Sequence, residues 1–143
     1  MPSSKPNLST IYKKGLVLLI KDFPFLDHTT QKNKYVVVLN KDNSSEPVIY
    51  ILPTSKTEKY KELRKKHHYF IIKANESKCF PIDTVLDFNQ VKSMTFEDLE
   101  NLYNTNKTSV IGYLEKNIIL KIDTYIDKCK TLSDEFKRII TEK

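Results

Sequence analysis

The chain has 143 residues, 39% of them hydrophobic and 29% charged, which is the composition of one soluble folded domain and above that of a disordered chain. Its 24 Lys and Arg against 18 Asp and Glu give a net charge of +6, which favours an anionic partner; with only Arg64 and Arg138 as arginines, a plain lysine-rich surface explains the excess equally well. Two glycines and no tryptophan leave nothing from which to build a glycine-rich phosphate loop, which excludes Walker and Rossmann nucleotide folds.

Residues 1–10 are rich in Pro, Ser and Asn without periodicity and are expected to form a flexible arm, so the single domain is taken as residues 11–143. No apolar stretch of signal-peptide length opens the chain and no later run approaches a membrane span, so a cytoplasmic location is expected. Cys79 and Cys129, fifty residues apart and outside any CxxC pair, are expected to be reduced, structural thiols.

Residues 15–20, 35–39 and 48–52 are short apolar runs rich in β-branched side chains and bounded by polar turns, as buried strands are. Residues 40–47, between the second and third runs, have the composition of a hairpin loop. Residues 56–66 carry eight charged side chains and only Tyr60 and Leu63 as apolar ones, and are expected to be a basic loop or an exposed helical turn or two. Residues 68–72 and 83–88 supply a fourth and a fifth strand, the latter extended by residues 91–94.

The periodicity changes at Thr95-Phe96-Glu97-Asp98, which has the form of a capping box opening a helix to about Tyr103. Ile111, Leu114, Ile118, Ile122, Tyr125 and Ile126 fall mostly three or four apart, predicting one amphipathic helix over residues 108–130, and residues 132–140 predict a last short one. Five strands followed by helices predict an α+β domain: a small barrel-like sheet of about five strands with a C-terminal helical extension from about residue 104.

Lys14-Gly15 before the first strand, Lys34-Tyr35 at the second, Thr54 after the third and the later strands at residues 68–72 and 83–94 follow in an order that resembles the MazF/PemK toxins of bacterial toxin-antitoxin pairs. Lys14-Gly15 opens the first strand as the family's basic residue and Gly do. Lys34-Tyr35 stands where the family has Arg-Pro, Thr54 follows residues 50–53 where a strand ends in Thr, and residues 68–72 and 83–94 match a later strand near a His and an Asp-Ser-Val-like strand. The resemblance covers residues 11–103 and implies an SH3-like barrel, a homodimer, a cognate acidic antitoxin with a disordered tail, and metal-independent cleavage of single-stranded RNA by an endoribonuclease (an mRNA interferase).

Such cleavage uses the neighbouring 2′-OH as nucleophile, so the protein must take its proton, stabilise an anionic phosphorane and protonate the leaving oxygen. On this reading Lys34 supplies charge, with an ammonium in place of the family's two-pronged guanidinium, and Thr54 holds a phosphate oxygen. Ser55 adds a second donor, and His68 is a candidate acid or base. Asp27, His28, Lys32, Lys56, Lys59, Tyr60 and Arg64, in the loops flanking these residues, are candidate RNA contacts, and Phe23, Phe25 and Tyr60 are the aromatic rings nearest to them. No His, Cys, Asp or Glu set has metal-ligand spacing, and no metal or cofactor is expected. The alternative is a non-catalytic SH3-like barrel module that binds RNA or an acidic protein.

Overall fold

A computed structural model describes residues 5–24, 33–41, 46–55 and 69–141. Among the described residues, seven strands and four helices follow in the order α1 (Leu8–Ile11), β1 (Leu16–Ile20), β2 (Lys34–Val38), β3 (Val48–Ile51), β4 (Tyr69–Ile72), β5 (Thr84–Asp87), β6 (Val91–Met94), α2 (Phe96–Asn104), β7 (Thr108–Tyr113), α3 (Lys116–Lys128) and α4 (Asp134–Ile140). A five-stranded antiparallel sheet runs β6-β3-β2-β1-β7, and β4 and β5 form a second, two-stranded sheet. The two sheets meet where Thr54, just beyond β3, bridges Val85 of β5. The chain is thus an α+β domain, and its described strands form two sheets without tracing a closed barrel.

From β1 through Val36–Val38 of β2 to β3 the central strands are almost continuously apolar because both of their faces are covered there. Leu16, Leu18 and Ile20 of β1, Val36 and Val38 of β2, and Val48 and Tyr50 of β3 point to one side, against Leu8, Tyr12, and Leu99 and Tyr103 of α2. Val17, Val37, Ile49 and Ile51 point to the other, against Phe70 and Ile72 of β4, Leu86 of β5, Ile118, Ile122 and Ile126 of α3, and Ile139 and Ile140 of α4. Both cysteines are buried free thiols within this second cluster.

The Thr95 half of the expected capping box forms: Thr95 Oγ1 accepts from the Asp98 amide at 3.0 Å and opens α2. Ahead of it, the packed part of the chain begins before Ile11. Leu8 is buried, the Pro6 carbonyl accepts from the Tyr103 hydroxyl, and Lys5 Nζ donates to the Tyr103 carbonyl. These contacts are made ninety-odd residues along the chain, so composition gives no sign of them.

Two expectations are corrected. Residues 91–94 do not extend the fifth strand; a 3₁₀ turn at Phe88–Gln90, capped by the Asp87 carboxylate accepting from the Asn89 amide, turns the chain out of the small sheet so that β6 pairs with β3. Residues 108–113, predicted as the start of a long helix, are instead β7, paired with β1 around a bulge opposite Val17 and Leu18. Thr108, Val110, Ile111 and Tyr113 suit a strand better than a helix, and the helical stripe that is real starts at Ile118.

Glu115, at the N-cap of α3, pins the residue 77–79 turn to this helix by accepting from the Lys78 amide at 2.9 Å. Burial pushes its carboxyl up, but the Lys78 amide, the Ser77 hydroxyl and the Lys78 charge together outweigh that and hold it below its ordinary value. The unfolded chain therefore takes up this proton more readily than the folded one, and stability rises with pH across the interval. Glu115 contributes fully above the ordinary carboxylate value and loses its contribution as pH falls through the lowered one. We expect urea midpoints of wild type and Glu115→Gln to differ near neutrality and converge in acid; parallel curves would show that the carboxylate contributes nothing.

Candidate functional site at one end of the sheet

The sequence candidates Lys34, Thr54 and Ser55 share one end of the five-stranded sheet. Lys34 opens β2 opposite Ile20, the last residue of β1. Just beyond Ile20, the Lys21 amide donates to the Lys107 carbonyl at 2.8 Å, so β7 begins at this end as well. Asp22 turns with φ 49°, and its amide donates to Asn33 Oδ1 at 3.2 Å, tying the residues after β1 to those before β2.

β3 pairs with β2 through Val37–Ile51 and Val38–Tyr50, so the chain leaves β3 toward the end of the sheet at which Lys34 opens β2, and Thr54 follows three residues beyond that strand. Thr54 itself turns to β5: its amide donates to the Val85 carbonyl at 3.0 Å and its carbonyl accepts from the Val85 amide at 2.8 Å. Pro53, which has no amide hydrogen to give β2, precedes that change of partner. The bridge fixes the Thr54 backbone independently of its side chain, and Ser55 follows, exposed.

Among the described residues, no carboxylate forms an ion pair with Lys34, Lys21 or Lys107. An ammonium at the start of β2 and a hydroxyl just beyond β3 are the two donor types that a phosphate group takes. Such a pair can neutralise charge on one phosphate oxygen and donate a hydrogen bond to another.

Asp27, His28, Lys32, Lys56, Lys59, Tyr60, Arg64 and His68 lie outside the described residues, as does Phe25. Phe23 is fully buried with its ring edge-on to Tyr50 at 6.1 Å, so it is a core residue and offers no face to a base. Lys14, the basic residue before β1, lies at the opposite end of the sheet. Its neighbour Gly15 donates to the carbonyl of Val38, the last residue of β2. Lys14 Nζ is bound to Asp123 at 2.8 Å and to the Ile140 carbonyl at 2.7 Å. Gly15 adopts φ +95°, a conformation costly for other residues, and a Cβ there would come within 2.6 Å of Ile119 Cδ1.

The sequence reading missed Lys21, Lys107 and Tyr35 at the Lys34 end. Lys21 and Lys107 meet only through the β1–β7 pairing, and Tyr35 is masked in sequence by its place within an apolar run. Among the described residues, no helix is long and apolar enough to cross a membrane, and no three His, Cys, Asp or Glu side chains gather in a way that could hold a metal ion. The chain matches no model of a protein family, and no curated protein matches it.

Proposed function

We propose that the protein is a metal-independent endoribonuclease of the MazF/PemK toxin type, which cleaves single-stranded RNA at the end of the sheet that carries Lys34 and Thr54. What supports this reading is that Lys34 opens β2 and Thr54 follows the end of β3 at the same end of the sheet, with Lys21 and Lys107 paired just beyond β1 at that end. In this reading the two sheets, joined at the Thr54–Val85 bridge, correspond to an SH3-like barrel whose third strand serves both. A homodimer, a cytoplasmic location and a cognate acidic antitoxin belong to the same proposal.

In the proposed reaction the 2′-oxygen attacks the adjacent phosphorus while the bond from phosphorus to the 5′-oxygen breaks, leaving a cyclic phosphate and a 5′-hydroxyl. The Lys34 ammonium stabilises the charge that grows on the phosphorane and is placed to protonate the departing oxygen. The Thr54 hydroxyl donates to a non-bridging oxygen, with Ser55 as a second donor. The proton of the 2′-OH passes to a base, for which His68 is the sequence candidate.

A second reading, a module that grips RNA without cutting it, is favoured by the single-pronged ammonium at position 34 where the toxin pattern has a guanidinium. The two are separated by incubating the protein in EDTA with a long, mixed-sequence single-stranded RNA and mapping the new ends. Discrete cuts ending in cyclic phosphates are expected. Intact RNA bound with salt-sensitive affinity would leave the binding module standing, and RNA neither cut nor bound would sink both.

A further inference from the structure

We infer that Tyr35 is a base-stacking platform of this site and that Lys21 and Lys107 hold phosphates of the same RNA strand. This deepens the reading above and rests on its RNA-binding half. Tyr35 shares a sheet face with Leu19 and Ser109, its partners across the ladder, and with Val37 two residues on. Val37 is completely buried on that face, whereas Tyr35, at the end that the covering layer does not reach, is 36% exposed.

The Tyr35 ring is nevertheless held. Phe80, itself only 3% exposed, meets it edge-on with ring centroids 5.8 Å apart and planes at 74°. An aromatic ring fixed from one side and open on another loses little conformational freedom when a flat ligand stacks on it. Tyr35 follows Lys34 in the strand, so their side chains leave opposite faces of the sheet at one strand end, and an RNA strand that wraps this end meets the ammonium on one face and the ring on the other.

The cations extend the same row. β2, β1 and β7 are consecutive in the sheet, and at their common end stand Lys34 with Tyr35, then Lys21, then Lys107. Lys21 and Lys107 are exposed, and adjacent strands spaced about 4.8 Å apart carry the row across the sheet end. An acidic peptide would use the ammonium groups but has no need of a flat apolar ring, and an apolar protein face would use the ring and strand three ammonium groups. An unpaired nucleotide uses both, its base on the ring and its phosphates on the lysines.

The test measures binding of a short, fluorescently labelled, mixed-sequence single-stranded RNA, 2′-O-methylated so that it binds without being cut, over a range of salt concentrations. Tyr35→Ala is expected to weaken binding roughly 5- to 150-fold at every salt concentration, and Tyr35→Phe to restore most of the affinity, because the π-face and not the hydroxyl is what stacks. Lys21→Gln and Lys107→Gln should each flatten the plot of log affinity against log salt by roughly 0.7. Polyglutamate at matched charge should compete poorly.

Tyr35→Ala protein that binds the RNA as well as wild type does, or RNA displaced from wild type by polyglutamate as effectively as by unlabelled RNA, would overturn the inference while leaving the ribonuclease reading open to its own assay. A Tyr35→Phe protein as weak as Tyr35→Ala would also overturn the stacking role. Wild-type protein that neither binds nor cuts RNA would overturn the underlying reading itself.

Discussion

Replacing Lys34 by alanine is expected to lower the rate of RNA cleavage roughly 10²- to 10³-fold, the loss that follows when one preorganised group facing transition-state charge is removed. Thr54→Ala should cost less, about 10- to 100-fold, as the loss of one hydrogen bond to a charged oxygen. Lys34 is a half-buried side chain at a strand end, and the backbone bonds of Thr54 to Val85 remain when its side chain is replaced. Circular dichroism and unfolding midpoints of the variants should therefore match wild type.

Lys34→Arg is the more discriminating variant. A guanidinium offers two parallel donors to a phosphate where an ammonium offers a point charge, so the rate is expected to equal or exceed that of wild type. Cleavage by Lys34→Ala at the wild-type rate would remove Lys34 from the chemistry. Cleavage lost in Lys34→Arg as completely as in Lys34→Ala would show that the site depends on the ammonium itself.

The second large effect is one of stability and lies at the other end of the sheet. Lys14→Ala is expected to destabilise the protein by about 3 kcal/mol, because it strands a carboxylate that the fold has taken largely out of water. The Lys14 and Asp123 side chains are only 15% and 26% exposed. Asp123 Oδ1 is buried without a hydrogen-bond partner among the described residues, so with Lys14 gone the whole carboxylate is left uncompensated. The same ammonium satisfies the Ile140 carbonyl at the C-terminal end of α4, where a cation also suits the helix dipole.

Urea unfolding of Lys14→Ala measures the loss, and replacing both partners by apolar residues, Lys14→Met with Asp123→Leu, should recover most of it. A change below roughly 0.5 kcal/mol in Lys14→Ala would place the pair among ordinary surface ion pairs. At temperatures where the variant is folded it should still cut RNA, since Lys14 and Lys34 lie at opposite ends of the strands. That outcome would separate the two basic residues, of which one anchors the C-terminal helices and the other serves the proposed site.

What the sequence by itself determined is whatever rests on neighbours along the chain. The apolar runs of β1, β2 and β3 are legible because a strand covered on both faces is apolar at every residue, and the start of α2 is legible because its cap is a bond between Thr95 and Asp98. The place of Lys34 and Thr54 at strand ends is local in the same sense. Only the tertiary structure decided that residues 108–113 form β7, since Ile111, Leu114 and Ile118 carry helical spacing and the pull toward strand comes from β1, some ninety residues earlier. The neighbourhood of Tyr35 is of that second kind as well. Its alternation with Val37 is written in the sequence, but its exposure depends on how far the covering layer extends, its support comes from Phe80, and its cationic neighbours Lys21 and Lys107 are brought together only by β1–β7 pairing.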